Sequence, residues 1–513
     1  MKHIARSTLI IAIFFGLEKV LGFVRQIIIS QTFGRSMELD AFNAANNIPD
    51  MLFALISGGA LAMALIPVLS EYLATKGRPQ AWDVFSRIAN LVFLATTGFS
   101  IVIAIFADQL VQWNIGIAPG FGPEQQALVA DLMRINLIAT LLFSMAGLVI
   151  AGLQANQHFL LPALAPSLYD IGALIGILIL VPSEGSTIGP ITLPAFGLGI
   201  HGLVYGTVLG AAFFLGVQIP GLFRYKFKWS PKVNINHPGV QQVLVVLGPR
   251  VLTMFFIQAI FIAQDNIASR LIAGSVTALV YGWLFMQVPE SLIGTAIGTA
   301  LLPTLSEQAA RQDTTQLKMA LNTAVRVILA LTIPATLLML VGVPHLVRIL
   351  GFDEIGTQLV IWCSQAYLLG LIAFALTEVT ARTFYAQQNA RVPLLTIVLT
   401  ATIFILLAIP LANWIGAPGI ALANATAFTI QLGIMVSLLK RKFPGFTNAR
   451  STLRRVIPAS IGSAALVLIA TQLIPIASQG ALIQTLIAVA LMGIGGIIVL
   501  PFIWPELKLI STL

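Results

Sequence analysis

Charged residues inside long apolar runs are the first candidates for chemistry in this sequence. Glu18, Lys19 and Arg25 lie within an apolar run over residues 7–33, and Arg250 lies within another. A charge at the centre of a bilayer costs about 2.5–3.5 kcal/mol on insertion scales, so such residues usually face a partner or a polar cavity. Because Lys and Arg side chains donate hydrogen bonds to oxyanions, the three cations predict a site for an anionic group.

The spacing within the first run leaves two roles open for these charges. Glu18, Gly22 and Arg25 fall on one helical face, and Lys19 points about 100° away. A local break at Gly22 would turn Lys19 and Arg25 toward one cavity. An ion pair of Glu18 with Lys19 or Arg25 would instead be structural.

Other intramembrane charges divide by their position and spacing. Asp131 and Arg134, three residues apart, predict a local ion pair. Arg326 and Arg382 are expected near interfaces, where their side chains would snorkel to water. Asp265 and Glu378 are candidate acids for coupling transport to a monovalent cation gradient. The membrane potential is an alternative driving force, at about 2.3 kcal/mol per charge per 100 mV.

Composition places the whole chain in the membrane. Hydrophobic residues make up 58% and charged residues 9% of the 513 residues, against roughly 25% charged in soluble domains. The single cysteine excludes an internal disulfide framework, and the five histidines have no metal-ligand spacing. We find no phosphate-binding Gly-rich loop. The sequence therefore predicts no metal, no cofactor, no nucleic-acid partner and no enzymatic activity.

The apolar runs predict an all-α integral membrane protein with fourteen transmembrane helices. Their approximate bounds are 7–33, 40–72, 83–112, 124–153, 159–182, 194–223, 238–271, 275–307, 316–345, 356–386, 392–413, 417–440, 452–475 and 481–503. Lys and Arg concentrate in segments 224–237 and 440–455, whereas 113–123 and 183–193 contain neither. By the positive-inside rule, both termini are predicted to be cytoplasmic.

Three pairs of similar segments recur in the same order along the two halves of the chain. They are 60–74 with 296–310, 154–164 with 385–395, and 201–207 with 418–426. The recurrence predicts two parallel six-helix pseudo-symmetric lobes, related by an axis along the membrane normal. The predicted N-lobe is 1–223, the C-lobe core is 238–440, and two further helices occupy 452–503. Two lobes around a midplane cavity are the usual architecture of a transporter.

Four segments of the sequence resemble the MurJ/MviN family of the multidrug/oligosaccharidyl-lipid/polysaccharide exporter superfamily. They read "EKVLGFVRQ", "LDAF", "NIPDMLFALISGGALAMALIPVLSEY" and "GTALLPTLSE". The resemblance implies a lipid flippase for lipid II, the undecaprenyl-pyrophosphate-linked peptidoglycan precursor used in cell wall biogenesis. It also implies a location in the bacterial cytoplasmic (inner) membrane, with the phospholipid bilayer and a lipid-linked pyrophosphate sugar as partners.

The resemblance assigns roles to individual positions. Lys19 and Arg25 stand where the family has two arginines that bind the pyrophosphate, Asp40 is the acid of the "DAF" motif, and Arg250 joins them as a substrate-binding cation. Residues 452–503 resemble helices that line a groove for the lipid tail. The chain departs from the family at Phe53 and Leu284, where many members carry arginine.

Four other functions remain open at the level of sequence. A flippase for another lipid-linked oligosaccharide would share the pyrophosphate site. A multidrug exporter of the same superfamily would need cavity carboxylates for its cationic substrates. A membrane glycosyltransferase would need a larger loop carrying catalytic acids. A member that keeps the fold without transport is compatible with Phe53 and Leu284.

Overall fold

The computed structural model of the chain describes residues 2–56, 59–185, 187–188, 191–443, 448–474 and 479–509. Within these ranges, the side chains of residues 2–13, 15, 59, 60, 62, 63, 187, 188, 191, 246, 249, 250, 303 and 310 lie outside the description. By its internal contacts the chain divides into two units, Met1–Asn266 and Ile267–Leu513. Each unit is helical, as the absence of water from a bilayer requires of a spanning chain.

The first unit consists of helices joined by short turns and one short hairpin. Its helices are α1 (Lys2–Phe33), α2 (Met37–Ile56), α3 (Gly59–Thr75), α4 (Arg78–Ile105), α5 (Ala107–Gln112), α6 (Pro123–Ala155), α7 (Leu160–Ile175), α8 (Ile200–Gly216), α9 (Ile219–Arg224) and α10 (Pro238–Ala268). A π-helical turn, Gly176–Leu180, extends α7. Strands β1 (Thr187–Ile188) and β2 (Ile191–Thr192) pair antiparallel.

The second unit begins at the end of α10. Its helices are α11 (Ser275–Glu290), α12 (Ala296–Ala310), α13 (Thr314–Leu346), α14 (Glu354–Leu368), α15 (Leu371–Ala386), α16 (Arg391–Ile415), α17 (Ala417–Lys442), α18 (Arg450–Leu473) and α19 (Ala481–Leu509). A π-helical turn, Ser291–Thr295, separates α11 from α12. A 3₁₀ turn, Val347–Leu350, follows α13.

Eleven helices in the described part of the chain are long and apolar enough to span a membrane. The number is twelve if α14 and α15, which are bent by 43° at a short break, form one span. The chain is therefore an all-α multi-pass membrane protein. The predicted second span, 40–72, is divided between α2 and α3, and the predicted tenth span is the bent pair.

Glycines set the closest helix crossing in the first unit. A Cβ added to Gly172 of α7 would lie 2.3 Å from Cα of Gly210 in α8, and one added to Gly176 would lie 2.6 Å from Cα of Gly206. Only glycine allows backbones to approach this closely, which is a common device of membrane helices. The crossing fixes α7, and α7 in turn packs against α1.

The two units repeat the same helix pairings. In the first unit, α3 packs on α4, α4 on α6, α6 on α8 and α7 on α8. In the second, α12 packs on α13, α13 on α15, α15 on α17 and α16 on α17. Two buried clusters follow these pairings, with Leu65, Phe85 and Leu148 in one unit and Leu305, Leu321 and Val379 in the other.

A buried carboxylate joins the last two helices to α13. Glu506 of α19 is fully buried, and its Oε1 lies 2.9 Å from Nη2 of Arg326 and 2.7 Å from Nη2 of Arg455. The Thr452 hydroxyl also donates to Oε1, over 2.7 Å. Arg326 thus has a carboxylate partner within the protein, and its snorkelling to the interface stays a prediction.

Candidate substrate site

Arg25 lies on the face of α1 that contacts α7. Its Nη1 is 3.4 Å from Oδ1 of Asp170, and the two side chains are 17% and 3% exposed. The guanidinium carbon lies 4.8 Å from the centroid of the Tyr169 ring, a cation–π distance. A Cβ on Gly22, one turn earlier, would lie 3.7 Å from Oδ2 of Asp170. A side chain at this position would therefore meet the carboxylate at an ordinary van der Waals distance.

The ion pair between Arg25 and Asp170 is a long one. Its 3.4 Å separation exceeds the roughly 2.7–2.9 Å of a strong charge-assisted hydrogen bond. A guanidinium presents five N–H donors in a planar fork that matches phosphate oxygens. Asp170 therefore compensates the charge of Arg25 across a separation longer than that of a strong hydrogen bond.

Lys19 occupies a different environment from Arg25. Its Nζ lies 3.3 Å from Oε2 of Glu18, and the side chains are 74% and 22% exposed. Of the two structural pairings that the spacing allowed, Glu18 makes the one with Lys19, while Arg25 pairs with Asp170. Because the Lys19 side chain is mostly exposed, its charge is accessible to a ligand.

Aromatic rings extend from Arg25 toward one of the positions that depart from the family. Phe143 lies 5.3 Å from the Tyr169 ring and 6.1 Å from the Phe53 ring, both in edge-on geometry. Phe214 completes the cluster, 5.4 Å from Phe143. Phe53, where the resemblance implies arginine in many members, is thus part of an aromatic wall.

The predicted acids of the first unit lie on α2 and α10. Asp40, in the first turn of α2, is 1% exposed, and Asp265 of α10 is 3% exposed. Asn47 of α2 donates its amide to Oδ2 of Asp265 over 2.5 Å. The carboxylate of Asp265 is therefore held against α2 by a side-chain amide. The side chain of Arg250, also on α10, lies outside the described residues.

Glu378 belongs to a charged cluster at the π-helical turn of the second unit. Its Oε2 lies 3.0 Å from Nη2 of Arg382, whose Nη1 donates to the Thr295 carbonyl over 3.0 Å and to the Thr299 hydroxyl over 2.8 Å. Glu290 accepts from the Thr295 hydroxyl over 3.2 Å. These oxygens bind the Arg382 guanidinium, and its snorkelling to the interface stays a prediction. Glu378 remains 41% exposed beside it.

Asp170 is not among the site residues that the sequence predicts. Its partner Arg25 lies in another helix, and helical spacing has no signal for such a pair. The predicted local pair is confirmed, with 2.8 Å between Nη1 of Arg134 and Oδ1 of Asp131. Within the described residues, no group of three or more His, Cys, Asp or Glu side chains could hold a metal ion.

Comparison with known proteins identifies the family. The family profile described as lipid II flippase MurJ matches residues 29–491. The chain belongs to the MurJ family. The match includes the positions of Asp40, Arg250 and Glu378, whereas Lys19 and Arg25 precede it.

Relatives from distant bacteria match most of the chain. The lipid II flippase MurJ of Burkholderia cenocepacia is 27% identical over 444 residues, which cover 84% of this chain and 81% of that protein. A probable lipid II flippase MurJ of Synechocystis is 26% identical over 453 residues, covering 87% of this chain and 83% of that protein. The similarity to these two MurJ proteins therefore extends over more than four fifths of the chain.

Solved structures show the same fold. A lipid II flippase MurJ in an inward closed conformation superposes with a TM-score of 0.74 at 21% identity, covering 96% of this chain and 99% of that one. An inward-facing multidrug resistance MATE family transporter of the MOP superfamily has a TM-score of 0.70 at 12% identity, covering 84% and 95% of the two chains. At these identities the likeness concerns the fold alone.

Proposed function

We propose that this chain translocates lipid II across the bacterial cytoplasmic membrane by alternating access. The observation that carries the proposal is the family match over residues 29–491, together with relatives named as lipid II flippases. The likeness to a MATE transporter does not favour drug export, because that similarity, at 12% identity, concerns the fold alone.

The pyrophosphate of the substrate would bind Lys19, Arg25 and Arg250, with Asp40 as the acid of the same site. The exposure of the Lys19 side chain and the planar guanidinium fork of Arg25 support this assignment, since both can donate to phosphate oxygens. Contacts with phosphate oxygens and water would offset the unfavourable free energy of placing these charges within the membrane. The wall formed by Phe53, Phe143 and Tyr169 would face the apolar part of the ligand.

Fourteen spans in two six-helix lobes and a carboxy-terminal pair remain our proposal for the membrane topology. The eleven spans and the bent pair account for twelve, and α1 and the α2–α3 pair would supply the first two. Within the first unit, α3, α4, α6 and α8 pack in succession. Within the second unit, α12, α13, α15 and α17 do the same, and this recurrence supports the two lobes. The proposed bounds are 1–223, 238–440 and 452–503, the last carrying a groove for the lipid tail.

Asp265 and Glu378 are the proposed coupling acids. Glu378 is partly exposed and can exchange Arg382 for a proton or a monovalent cation. Asp265 is buried against Asn47 and would require a change at α2 to exchange its partner. The geometry therefore favours Glu378 as the acid that responds to the ion gradient.

Complementation tests the flippase activity directly. We expect the chain to restore growth and cell shape to a bacterium depleted of its own lipid II flippase. A variant with Lys19 and Arg25 both changed to alanine serves as the negative control, and its membrane level is measured by immunoblotting. Failure of the unaltered chain at a membrane level equal to that of the host flippase would reject the proposal.

Labelling of single cysteines tests the topology. In a Cys363→Ala background, which removes the only native thiol, we expect Ile115→Cys to react with an impermeant maleimide in intact cells. Lys228→Cys should react only after the membrane is permeabilised. Ile115 is 85% exposed and Lys228 is exposed, so access to either thiol depends on the side of the membrane. The reverse pattern would invert the proposed orientation.

A further inference from the structure

An open cavity of about 370 Å³ lies in the first unit, away from Arg25. It is formed by the turn between α3 and α4 and by the segment that leads into α10. Its polar lining consists of Tyr72, Lys76, Gln80, Asp83, Lys232 and His237. Substrate binding as proposed above makes no use of these residues.

The cavity carries excess positive charge. Lys76 is held over the Tyr72 ring, with its Nζ 4.1 Å from the ring centroid, and Lys232 also lines the cavity. The one carboxylate among the lining residues, Asp83, is compensated by Arg87, whose Nε lies 2.7 Å from Oδ2. Two ammonium groups therefore remain to attract an anion.

His237 adds a neutral donor to the two lysines. Its Nδ1 accepts a hydrogen bond from the Gly239 amide over 3.2 Å, which assigns the proton of the neutral ring to Nε2. Burial, followed by the nearby Arg87 and Lys76 charges, lowers the pKa of His237, and Asp83 opposes this shift. The ring therefore stays neutral at neutral pH and can donate from Nε2.

The start of α4 also favours an anion. α4 begins after Gly77, which has no side chain to cap it, and among the described residues no side chain supplies a cap hydrogen bond. The corresponding helix of the second unit, α13, is capped internally, because Asp313 accepts from the Gln316 amide over 3.0 Å. At the residue before the helix, the second unit has a capping carboxylate. The first unit has Gly77 there, in a part of the chain rich in cations. Helix amino termini attract negative charge.

The walls are fixed by contacts that do not require a ligand. Asn90 donates to the carbonyls of Ser230, over 2.7 Å, and Lys232, over 3.0 Å. Trp229 donates to the Asn90 side chain over 2.9 Å. The segment that carries Lys232 is thus tied to α4 before an anion arrives. Such preorganisation lowers the entropic cost of binding.

We propose that this cavity binds a phosphate group, supplied by the headgroup of an anionic phospholipid or by a soluble phosphate. The group would lie between Lys76, Lys232 and His237 at the start of α4. It would link the α3–α4 turn to the segment before α10. Basic pockets at the ends of membrane helices are a known mode of headgroup recognition. The site is independent of the proposed flippase activity.

Thermal unfolding of the purified full-length protein tests the site. In detergent, we expect inorganic phosphate to raise the Tm more than sodium chloride of equal ionic strength if the ligand is soluble. In phosphatidylcholine nanodiscs, added phosphatidylglycerol should raise the Tm if the ligand is a headgroup. Lys232→Gln should lower the affinity for whichever ligand raises the Tm by about tenfold, the loss expected for one charge-assisted contact.

Two variants make the outcome decisive. Lys228→Gln removes the same charge from the same segment but lies outside the cavity, so it should respond like the unaltered protein. Arg25→Ala should also retain the response, because its site is separate. The proposal is overturned if neither ligand raises the Tm, if Lys228→Gln and Lys232→Gln lose the response equally, or if Arg25→Ala abolishes it.

Discussion

Arg25→Ala should abolish complementation of a flippase-depleted bacterium. Loss of a charge-assisted phosphate contact removes roughly 1.5–3 kcal/mol, or about tenfold or more in affinity. The same change leaves the buried Asp170 without its guanidinium partner. Removing one member of a buried ion pair costs about 3–5 kcal/mol, so the single variant also loses stability. Lost growth alone would therefore not separate binding from folding.

A double variant separates the two roles of Arg25. Arg25→Ala combined with Asp170→Asn removes both charges, and we expect it to recover the Tm and membrane level lost in the single variant. Growth should remain absent, because no fork is left for the pyrophosphate. Restored growth in the double variant would show that Arg25 serves only as the partner of Asp170.

Two conservative variants refine this expectation. Arg25→Lys keeps the charge but loses the planar fork, so transport should fall without disappearing. Asp170→Asn alone keeps the guanidinium and should retain more transport than Arg25→Ala. If Asp170→Asn is as inactive as Arg25→Ala at equal membrane levels, the ion pair itself is required and the assignment of Arg25 as a phosphate ligand fails.

Glu506→Ala should lower the Tm of the purified protein more than any surface charge substitution. It leaves Arg326 and Arg455 facing each other without the carboxylate that both contact, and it deprives the Thr452 hydroxyl of its acceptor. The expected loss is about 3–5 kcal/mol, as for other buried pairs broken on one side. Because the cluster joins α13, α18 and α19, proteolysis should also release the carboxy-terminal helices more readily.

The second unit also offers a matched control. Glu307 forms an ion pair with Arg311 over 2.7 Å, but the two side chains are 63% and 74% exposed. Glu307→Ala should cost less than about 1 kcal/mol, as surface pairs generally do. Equal Tm shifts for Glu307→Ala and Glu506→Ala would mean that the buried cluster does not hold the two helices.

The helical membrane class, the positions of most spans and the resemblance to MurJ could all be predicted from the sequence alone. The physical reason is local. A bilayer forces each spanning segment to satisfy its own backbone hydrogen bonds, so length and hydropathy suffice to find it. Intramembrane charges such as Lys19 and Arg25 are visible for the same reason, because little else in an apolar run explains them. The pair of Asp131 with Arg134 was predictable because both lie on one helical face.

Helix packing decided which charges meet. Arg25 contacts Asp170, and Arg326 contacts Glu506, because α1 lies on α7 and α13 lies on α19. The rotation of one helix against another depends on where small residues such as Gly172 and Gly210 allow close approach. Helical periodicity fixes the faces of each helix but not which face of which neighbour they meet. For that reason the Glu506 partner of Arg326 was not predicted, and the cavity at Lys232 is visible only in the folded unit.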